Sequence, residues 1–319
     1  MIVFACGWTP ATFAQAPTEV RAWEAEFVSS GDETKQKTMI YAPRTERAVP
    51  MIVVLHSWSA DYTQTSNKTI EKWCIERGYV FLHPDFRGPN NKPEATGSDL
   101  VVADILSAVA YAKTQANIDE KSIYLIGASG GGYTALIMAG RHPEVWAGVS
   151  AWVPITDLAA WHAQCAKKGL KYARDLEKSC GGKPGESDAI DAQYKHRSPL
   201  THLPGAKGKV DLQLGAGVFD GHKGSVPISH TLRAFNAVAE PQDRLTDEQI
   251  QRFTADAERP ADLEPAAQDP RYGRKQPLFV RRSARASVTI FDGTHEMVTS
   301  AALAWVLELQ RRTRDRQDR

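Results

Sequence analysis

A strand, a tight turn and a helix follow one another between residues 123 and 141, and this stretch constrains the fold more than any other. Its first residues, Ile-Tyr-Leu-Ile, are an apolar run typical of a short buried strand, and good helix formers follow residue 133. The turn Gly127-Ala128-Ser129-Gly130-Gly131 fits the pattern G-x-S-x-G, which exposes a serine hydroxyl on a strained strand-to-helix turn. Side chains at 127 and 131 would collide with the neighbouring strand and helix, so glycine is expected there.

An ordinary glycine-rich turn that caps a helix, or a phosphate-binding loop at a helix N-terminus, would also place glycines in this way. A phosphate loop of the G-x-x-x-x-G-K-[S/T] type needs a lysine that this turn lacks, and the sequence contains no G-x-G-x-x-G. The strand and helix on either side favour the first interpretation, in which Ser129 is a nucleophile.

Apolar strands alternate with helical segments along most of the chain, which is typical of a parallel α/β sheet with right-handed crossovers. An antiparallel hairpin is expected at the N-terminal edge, over residues 24–29 and 36–41. The predicted strands of the parallel part are 51–55, 79–83, 123–127, 147–153, 210–214 and 287–291. Predicted helices cover 67–77, 134–141 and 226–238, and a final helix is expected around 303–309. Two further helices are predicted from their N-terminal caps: one begins at Ser98, and the other begins at the capping box of Thr246 and Gln249.

Residues 17–319 are therefore expected to form a single domain. The alternation breaks over about 156–200, where two helical pieces joined near Gly169 precede a glycine-rich polar segment. We interpret this part as a helical insertion, or lid, over the strand ends. Residues 260–277 are predicted to be a proline-rich loop, and the charged tail 311–319 is expected to fray.

Composition excludes several classes of function. The formal charge is +1, with acids and bases mixed along the chain, so no nucleic-acid footprint is expected. No apolar run approaches the length of a membrane span. No CxxC or HExxH metal motif occurs, and we expect no metal and no cofactor.

The N-terminus resembles an incomplete signal peptide. Residues 1–5 are apolar, and Ala14-Gln15-Ala16 is a small-residue cleavage site, so a secreted or periplasmic protein is expected; a frayed N-terminus is the alternative. Cys165 and Cys180 flank a helical stretch and can form a disulfide in an oxidising compartment or remain two thiols. Cys74, between apolar neighbours, is expected to be a buried free thiol.

A nucleophilic serine needs a base for its proton and an acid that holds the base. In a sheet of this kind these follow in the order Ser, Asp or Glu, His, on loops after later strands. Of the nine histidines, His295 lies on the loop after the last predicted strand, four residues past its end, and is our candidate base. Asp220 follows the preceding strand and is the favoured acid; Asp157, which is also a good helix cap, and Asp292 are the competitors.

The oxyanion of the transition state needs two backbone N–H donors. One is expected from Gly130, the residue after the nucleophile. The other is expected from the loop after the strand 51–55, where Trp58 is the first candidate and Ser57 the second.

With these motifs in this order, the chain from about Val49 to Leu309 resembles an α/β-hydrolase of the prolyl-oligopeptidase-like group, which includes peptidases and many secreted carbohydrate esterases. The resemblance rests on Gly127-Ala128-Ser129-Gly130-Gly131, on Asp220 and on Gly293-Thr294-His295-Glu296. It implies a serine hydrolase. Peptidases of the group carry a large N-terminal β-propeller, whereas only about fifty residues precede Val49, so we expect an esterase rather than an oligopeptidase.

The substrate expected on this basis is an acetyl or methyl ester of a plant or algal polysaccharide. Trp58, Trp152 and Trp161 lie at strand ends or in the insertion, where they can stack on sugars, although packing in the core or lid is the favoured interpretation for any single one of them. His56, Arg87 and His222 can contact an anionic sugar or pair locally. A small-peptide or amide hydrolase and a non-catalytic carbohydrate-binding protein are the alternatives. The oligomeric state is left open.

Overall fold

The structure is a computed structural model that describes residues 21–317, so the predicted signal peptide over 1–16 lies outside the described residues. Within this part of the chain nine strands form one sheet in the order β1-β2-β4-β3-β5-β6-β7-β9-β8. The strands are β1 (Trp23–Val28), β2 (Lys35–Tyr41), β3 (Val49–Leu55), β4 (Val80–Pro84), β5 (Ile118–Ala128), β6 (Gly148–Trp152), β7 (Asp211–Gly217), β8 (Pro277–Ser283) and β9 (Ala286–Phe291).

The sheet is parallel from β4 to β9 and antiparallel at both edges. β1 and β2 form the predicted hairpin, and β2 lies antiparallel to β4. At the other edge β8 lies antiparallel to β9, whereas no strand was predicted between the loop 260–277 and the last strand. The predicted fold class, a mostly parallel sheet with an antiparallel N-terminal edge, is confirmed, and the second antiparallel edge is an addition to it.

Helices pack on both faces of this sheet. The helices are α1 (Lys68–Arg77), α2 (Asp99–Gln115), α3 (Gly130–Arg141), α4 (Leu158–Lys167), α5 (Tyr172–Cys180), α6 (Asp188–His196), α7 (Pro199–His202), α8 (Ser229–Val238), α9 (Asp247–Asp256) and α10 (Thr299–Gln317). Two predicted N-caps are confirmed: the Ser98 hydroxyl accepts from the backbone N–H of Val101, and Thr246 and Gln249 form a capping box. Helix α10 extends to Gln317, beyond the predicted start of the tail at 311.

The alternation of side chains along the central strands explains why both faces are covered. Val53 and Leu125 point to one face and are buried with α2 and α3, whereas Ile52 and Ile126 point to the other and are buried with α1 and α10. Burying each such side chain contributes about 1.5–3 kcal/mol. No helix of the described residues is long and apolar enough to span a membrane.

The predicted insertion lies between β6 and β7 and contains α4, α5, α6 and α7. Two helices were predicted in it, and the structure confirms both as α4 and α5. Helix α6 falls in the predicted polar segment, where no helix was expected; its N-cap is Ser187, whose hydroxyl accepts from the N–H of Ile190 at 3.3 Å. Residues 188–196 of the polar segment are therefore helical.

The parallel arrangement brings four loops to one edge of the sheet. Strands β3, β5, β7 and β9 all end there, and their loops carry the candidate residues Trp58, Ser129, Asp220 and His295 respectively. Ligands of such sheets bind at the carboxyl ends of the strands.

Candidate active site

Ser129 lies on a sharp turn between β5 and α3. Its backbone adopts φ 56° and ψ −121°, a strained conformation for a residue with a side chain, and its N–H donates to the carbonyl of Trp152 at 2.9 Å. A methyl group on Gly127 would collide with the carbonyl of Gly131, and one on Gly131 would lie 3.0 Å from the carbonyl oxygen of His56. Both glycines are thus required by the close approach of the backbone, as predicted.

The structure brings Ser129, His295 and Asp220 together. The Ser129 hydroxyl donates to Nε2 of His295 at 2.8 Å, across 166 residues of sequence. On the other side of the ring, Nδ1–H of His295 lies 2.9 Å from each carboxylate oxygen of Asp220. This places the proton of the imidazole on Nδ1 and leaves Nε2 as the acceptor for the hydroxyl proton.

Asp220 is the deepest of the three side chains, with 1% of its surface exposed. Burial raises the pKa of its carboxyl above the ordinary value, and the hydrogen bonds from His295 and from the backbone N–H of Gly221 oppose this rise. Because the Gly221 N–H donates to Oδ1 at 2.9 Å, the loop after Asp220 turns back around the carboxylate. The carboxylate is therefore held in one orientation toward the ring.

The loop after β3 lies against the first residue of α3. The Cα of Trp58 would lie 2.5 Å from a methyl group on Gly130, so the two backbones are adjacent. The N–H of Ser57 donates to the side-chain oxygen of Gln64 at 2.7 Å and is thereby occupied. This favours Trp58, the first candidate, over Ser57 as the second oxyanion donor beside Gly130. Gln64 itself was missed by sequence reasoning, since no motif marks it.

This arrangement is suited to nucleophilic chemistry. The hydroxyl of Ser129 can pass its proton to His295 as the oxygen attacks an electrophile, and the carboxylate of Asp220 stabilises the imidazolium that results. Among residues 21–317, no group of three or more His, Cys, Asp or Glu side chains is placed to hold a metal ion.

Comparison with known proteins identifies the family of this chain. A profile described as the prolyl oligopeptidase family matches residues 65–253, which is more than half of the chain and includes Ser129 and Asp220. The chain belongs to the prolyl oligopeptidase family. The family consists of serine hydrolases, and its neighbours share the α/β-hydrolase fold.

Two curated members of the family illustrate the relationship. The chain is 23% identical over 235 residues to acylamino-acid-releasing enzyme 2 of Oryza sativa subsp. japonica, covering 68% of this chain and 28% of that protein. It is 22% identical over 189 residues to acylamino-acid-releasing enzyme of Homo sapiens, covering 54% of this chain and 25% of that protein. The chain thus spans about a quarter of the length of these relatives.

Two solved structures of prolyl oligopeptidase relatives show the same fold. The acylaminoacyl peptidase of Pyrococcus horikoshii superimposes with a TM-score of 0.56 at 18% identity, covering 68% of this chain and 34% of that one. Prolyl oligopeptidase B of Galerina marginata gives a TM-score of 0.54 at 14% identity, covering 68% of this chain and 31% of that one.

The tryptophans predicted as possible sugar contacts are not available for stacking. Trp152 is fully buried, and its indole N–H donates to the hydroxyl of Ser150. Trp161 is 1% exposed and packs edge-on against Trp58, which is also buried. The three tryptophans are therefore packing residues. Trp58 and Trp161 are buried beneath the insertion, and Trp152 is buried against Phe291 of β9.

The three polar residues proposed to contact substrate are engaged elsewhere. His56 is fully buried and stacks on Phe86 with ring centroids 3.8 Å apart. Arg87 is buried and pairs with Asp104 and Asp32. His222 is exposed, and its ring Nε2–H donates to the carbonyl of Thr254 on α9. Local pairing, the other interpretation of these residues, explains all three.

The competing acid Asp157 has a different task from Asp220. Asp157 caps α4 by accepting from the N–H of Ala160 at 3.0 Å, while Asp220 occupies the position beside His295. Cys165 and Cys180 are free and buried, as is Cys74, so the disulfide alternative is not formed. Burial raises the pKa of Cys165 to about 12 and that of Cys180 to about 11, which keeps both as unreactive thiols.

Proposed function

We propose that this chain hydrolyses carboxylic esters through an acyl-enzyme intermediate on Ser129. The observation that carries the proposal is the continuous hydrogen-bonded line from the Ser129 hydroxyl through His295 to the buried Asp220, with distances of 2.8 and 2.9 Å. Such a line is the requirement for an alcohol to act as a nucleophile near neutral pH.

Acylation begins when Oγ of Ser129 attacks the ester carbonyl carbon. The hydroxyl proton moves to Nε2 of His295, and Asp220 stabilises the imidazolium through Nδ1–H. The carbonyl oxygen becomes an oxyanion, for which the N–H groups of Gly130 and Trp58 are the donors. When the tetrahedral intermediate collapses, the C–O bond to the alcohol breaks and the alcohol leaves with the proton from Nε2.

Deacylation repeats these steps with water. His295 removes a proton from a water molecule, whose oxygen attacks the acyl carbon bound to Ser129. Collapse of the second intermediate releases the carboxylic acid and returns the proton from Nε2 to Oγ. The enzyme is then in its starting state.

The strained backbone at Ser129 supports catalysis over a sugar-binding role without chemistry. A residue with a side chain at φ 56° and ψ −121° carries a cost of about 1–3 kcal/mol. A binding protein gains nothing from that cost, whereas a nucleophile needs its hydroxyl projected from the turn.

Amide hydrolysis is the second candidate, and the names of the relatives favour it. Both curated relatives are acylamino-acid-releasing enzymes. The same residues can serve an amide, because His295 can protonate the departing nitrogen. Polysaccharide esters remain a narrower hypothesis, which the buried Trp152 and Trp161 no longer support.

Labelling with a fluorophosphonate, followed by mass spectrometry of the modified peptide, tests the proposal. We expect the label on Ser129, loss of labelling in Ser129→Ala, and turnover of 4-nitrophenyl acetate that falls by about 10⁶ in that variant. Parallel assays with N-acetyl-alanine 4-nitroanilide and acetylated xylan separate the ester, amide and polysaccharide hypotheses. A folded protein that is labelled elsewhere, or not at all, would refute the proposal.

We also propose export from the cytoplasm, supported by the apolar residues 1–5 and the small-residue site at 14–16. N-terminal sequencing of the protein purified from its native host tests this. A mature chain that begins near residue 17 is the expected result, and an intact Met1 would contradict it.

A further inference from the structure

We infer that Trp161 and Lys168 of the insertion are positioning residues, which fix the loop of Asp220 and the backbone of Trp58 relative to each other. This inference rests on the proposed function. It gives the insertion a different role from the lid expected from the sequence. In this role the insertion supports two parts of the active site, the loop of Asp220 and the loop of Trp58.

The first observation is the shape of the loop over residues 220–226, which we call the acid loop. Gly221 has φ +87° and directs its N–H back to the Asp220 carboxylate. Gly224 lies so near that an added methyl group would be 2.6 Å from Cβ of His295. The position of Asp220 therefore depends on the path of the whole loop.

Helix α4 holds this loop at two carbonyls. The indole Nε1–H of Trp161 donates to the carbonyl of Ser225 at 2.9 Å. The ammonium group of Lys168, the C-cap residue that follows α4, donates to the carbonyl of Gly221. The two bonds lie near the start and the end of the acid loop.

The other side of Trp161 contacts the residue proposed as the second oxyanion donor. Its ring packs edge-on against Trp58 with centroids 4.7 Å apart, and it stacks on Tyr172 of α5 at 5.1 Å. The indole N–H of Trp58 in turn donates to Asp175 of α5 at 3.3 Å. One buried indole thus connects the acid loop with the loop of Trp58.

Burial decides between positioning and substrate contact. Only 1% of the Trp161 surface is exposed, so the ring does not reach a substrate. Two helices of the insertion are also held together, since Nε2–H of His162 on α4 donates to Oε1 of Glu177 on α5 at 2.8 Å. A rigid support of this kind matters because a misplacement of about 1 Å can lower the rate a hundredfold.

The test compares Trp161→Phe with Trp146→Phe. Phenylalanine at 161 keeps an aromatic ring against Trp58 and removes the bond to Ser225. Trp146 is a matched control, because it is also buried but its indole N–H has no partner among the described residues. We expect kcat for 4-nitrophenyl acetate to fall about tenfold or more in Trp161→Phe, with KM within about twofold, and no such fall in Trp146→Phe.

A second pair of variants covers the case in which Trp161→Phe does not fold. Lys168→Met removes the bond to Gly221, and Lys168→Arg retains a donor. We expect a lower kcat in the first and its recovery in the second. Unchanged kcat in Lys168→Met and Trp161→Phe would overturn the inference, as would a rise in KM with kcat unchanged, which indicates substrate contact.

Fluorophosphonate labelling of the unaltered protein separates this result from failure of the proposed function. If Ser129 is not labelled, the proposed function and the inference both fail. If Ser129 is labelled in the unaltered protein and at the same rate in Trp161→Phe and Lys168→Met, only the inference fails. Slower labelling of both variants, with their circular dichroism unchanged, is the result that supports it.

Discussion

Gly224 and Asp220 approach so closely that a methyl group on the glycine would collide with the carboxylate oxygen Oδ1 and lie 2.6 Å from Cβ of His295. The acid and the base of the proposed triad thus share a neighbour that can have no side chain. This contact connects the local conformation of the acid loop directly to the geometry of the reaction.

Gly224→Ala is expected to displace Asp220 or His295 and to lower kcat by about a hundredfold, because such misplacement affects the transition state. The rate of 4-nitrophenyl acetate hydrolysis by purified protein measures this. Gly208→Ala is the control: at φ +71° it is strained, but no atom lies within 4 Å of the added methyl group. It should lose about 1 kcal/mol of stability with kcat unchanged. Equal activity in the two variants would contradict the proposed geometry.

Asp220→Asn should lower kcat by about 10⁴, since an amide in this position favours the wrong tautomer of the base. Asp157→Asn is the matched control, because asparagine caps a helix as well as aspartate does. We expect its activity to stay near that of the unaltered protein. A large loss in Asp157→Asn and none in Asp220→Asn would make Asp157 the acid instead.

Arg87→Met should destabilise the fold without changing the activity of the folded molecules. Arg87 forms ion pairs at 2.7 Å with Asp104, which is fully buried, and with Asp32 in the turn between β1 and β2. Removing the guanidinium leaves Asp104 buried without its partner, at a cost of about 3–5 kcal/mol.

Urea unfolding measures this loss. The control is Arg282→Met, since Arg282 is exposed and has no ion pair within residues 21–317; it should change the stability by less than about 0.5 kcal/mol. A raised KM with unchanged stability in Arg87→Met would restore the hypothesis that Arg87 contacts substrate.

Asp85 should make stability depend on pH. Burial raises the pKa of its carboxyl to about 6, and its Oδ1 has no hydrogen-bond partner in the described structure. In the unfolded chain the pKa is about 3.9. The folded state therefore binds the proton more tightly: this contribution to stability is present below about pH 4 and is lost as the pH rises through about 6.

Asp85→Asn should consequently be more stable than the unaltered protein at pH 7.5 and no more stable at pH 3.5. Urea midpoints at the two pH values measure the effect. Asp256→Asn, which changes an exposed carboxyl, should show no such difference. A midpoint that rises equally at both pH values would show that ionisation of Asp85 is not responsible.

The order of strands and the turn chemistry made the fold and the three central residues predictable. Ser129, Asp220 and His295 each follow the carboxyl end of a parallel strand, so their meeting at one edge follows from topology. The choice of Trp58 over Ser57 as oxyanion donor does not follow from topology, because it depends on the side chain of Gln64, which accepts from the N–H of Ser57. No pattern in the sequence specifies that rotamer.

Two elements were missed for identifiable reasons. Helix α6 buries only Tyr194, so it lacks the apolar periodicity that reveals a helix. Strand β8 begins with a proline and carries Arg281 and Arg282, features that suit an edge strand but also a loop. The packing roles of Trp152 and Trp161 follow from their burial by residues distant in sequence, and local sequence does not show such burial.

The contact of α4 with both the Trp58 loop and the acid loop has a consequence for engineering. Replacing the insertion with an unrelated sequence would also remove the donors that Trp161 and Lys168 provide to the acid loop. A working chimera would have to supply new donors for the carbonyls of Gly221 and Ser225. Any change of the insertion must therefore also preserve the position of Asp220, on which turnover depends.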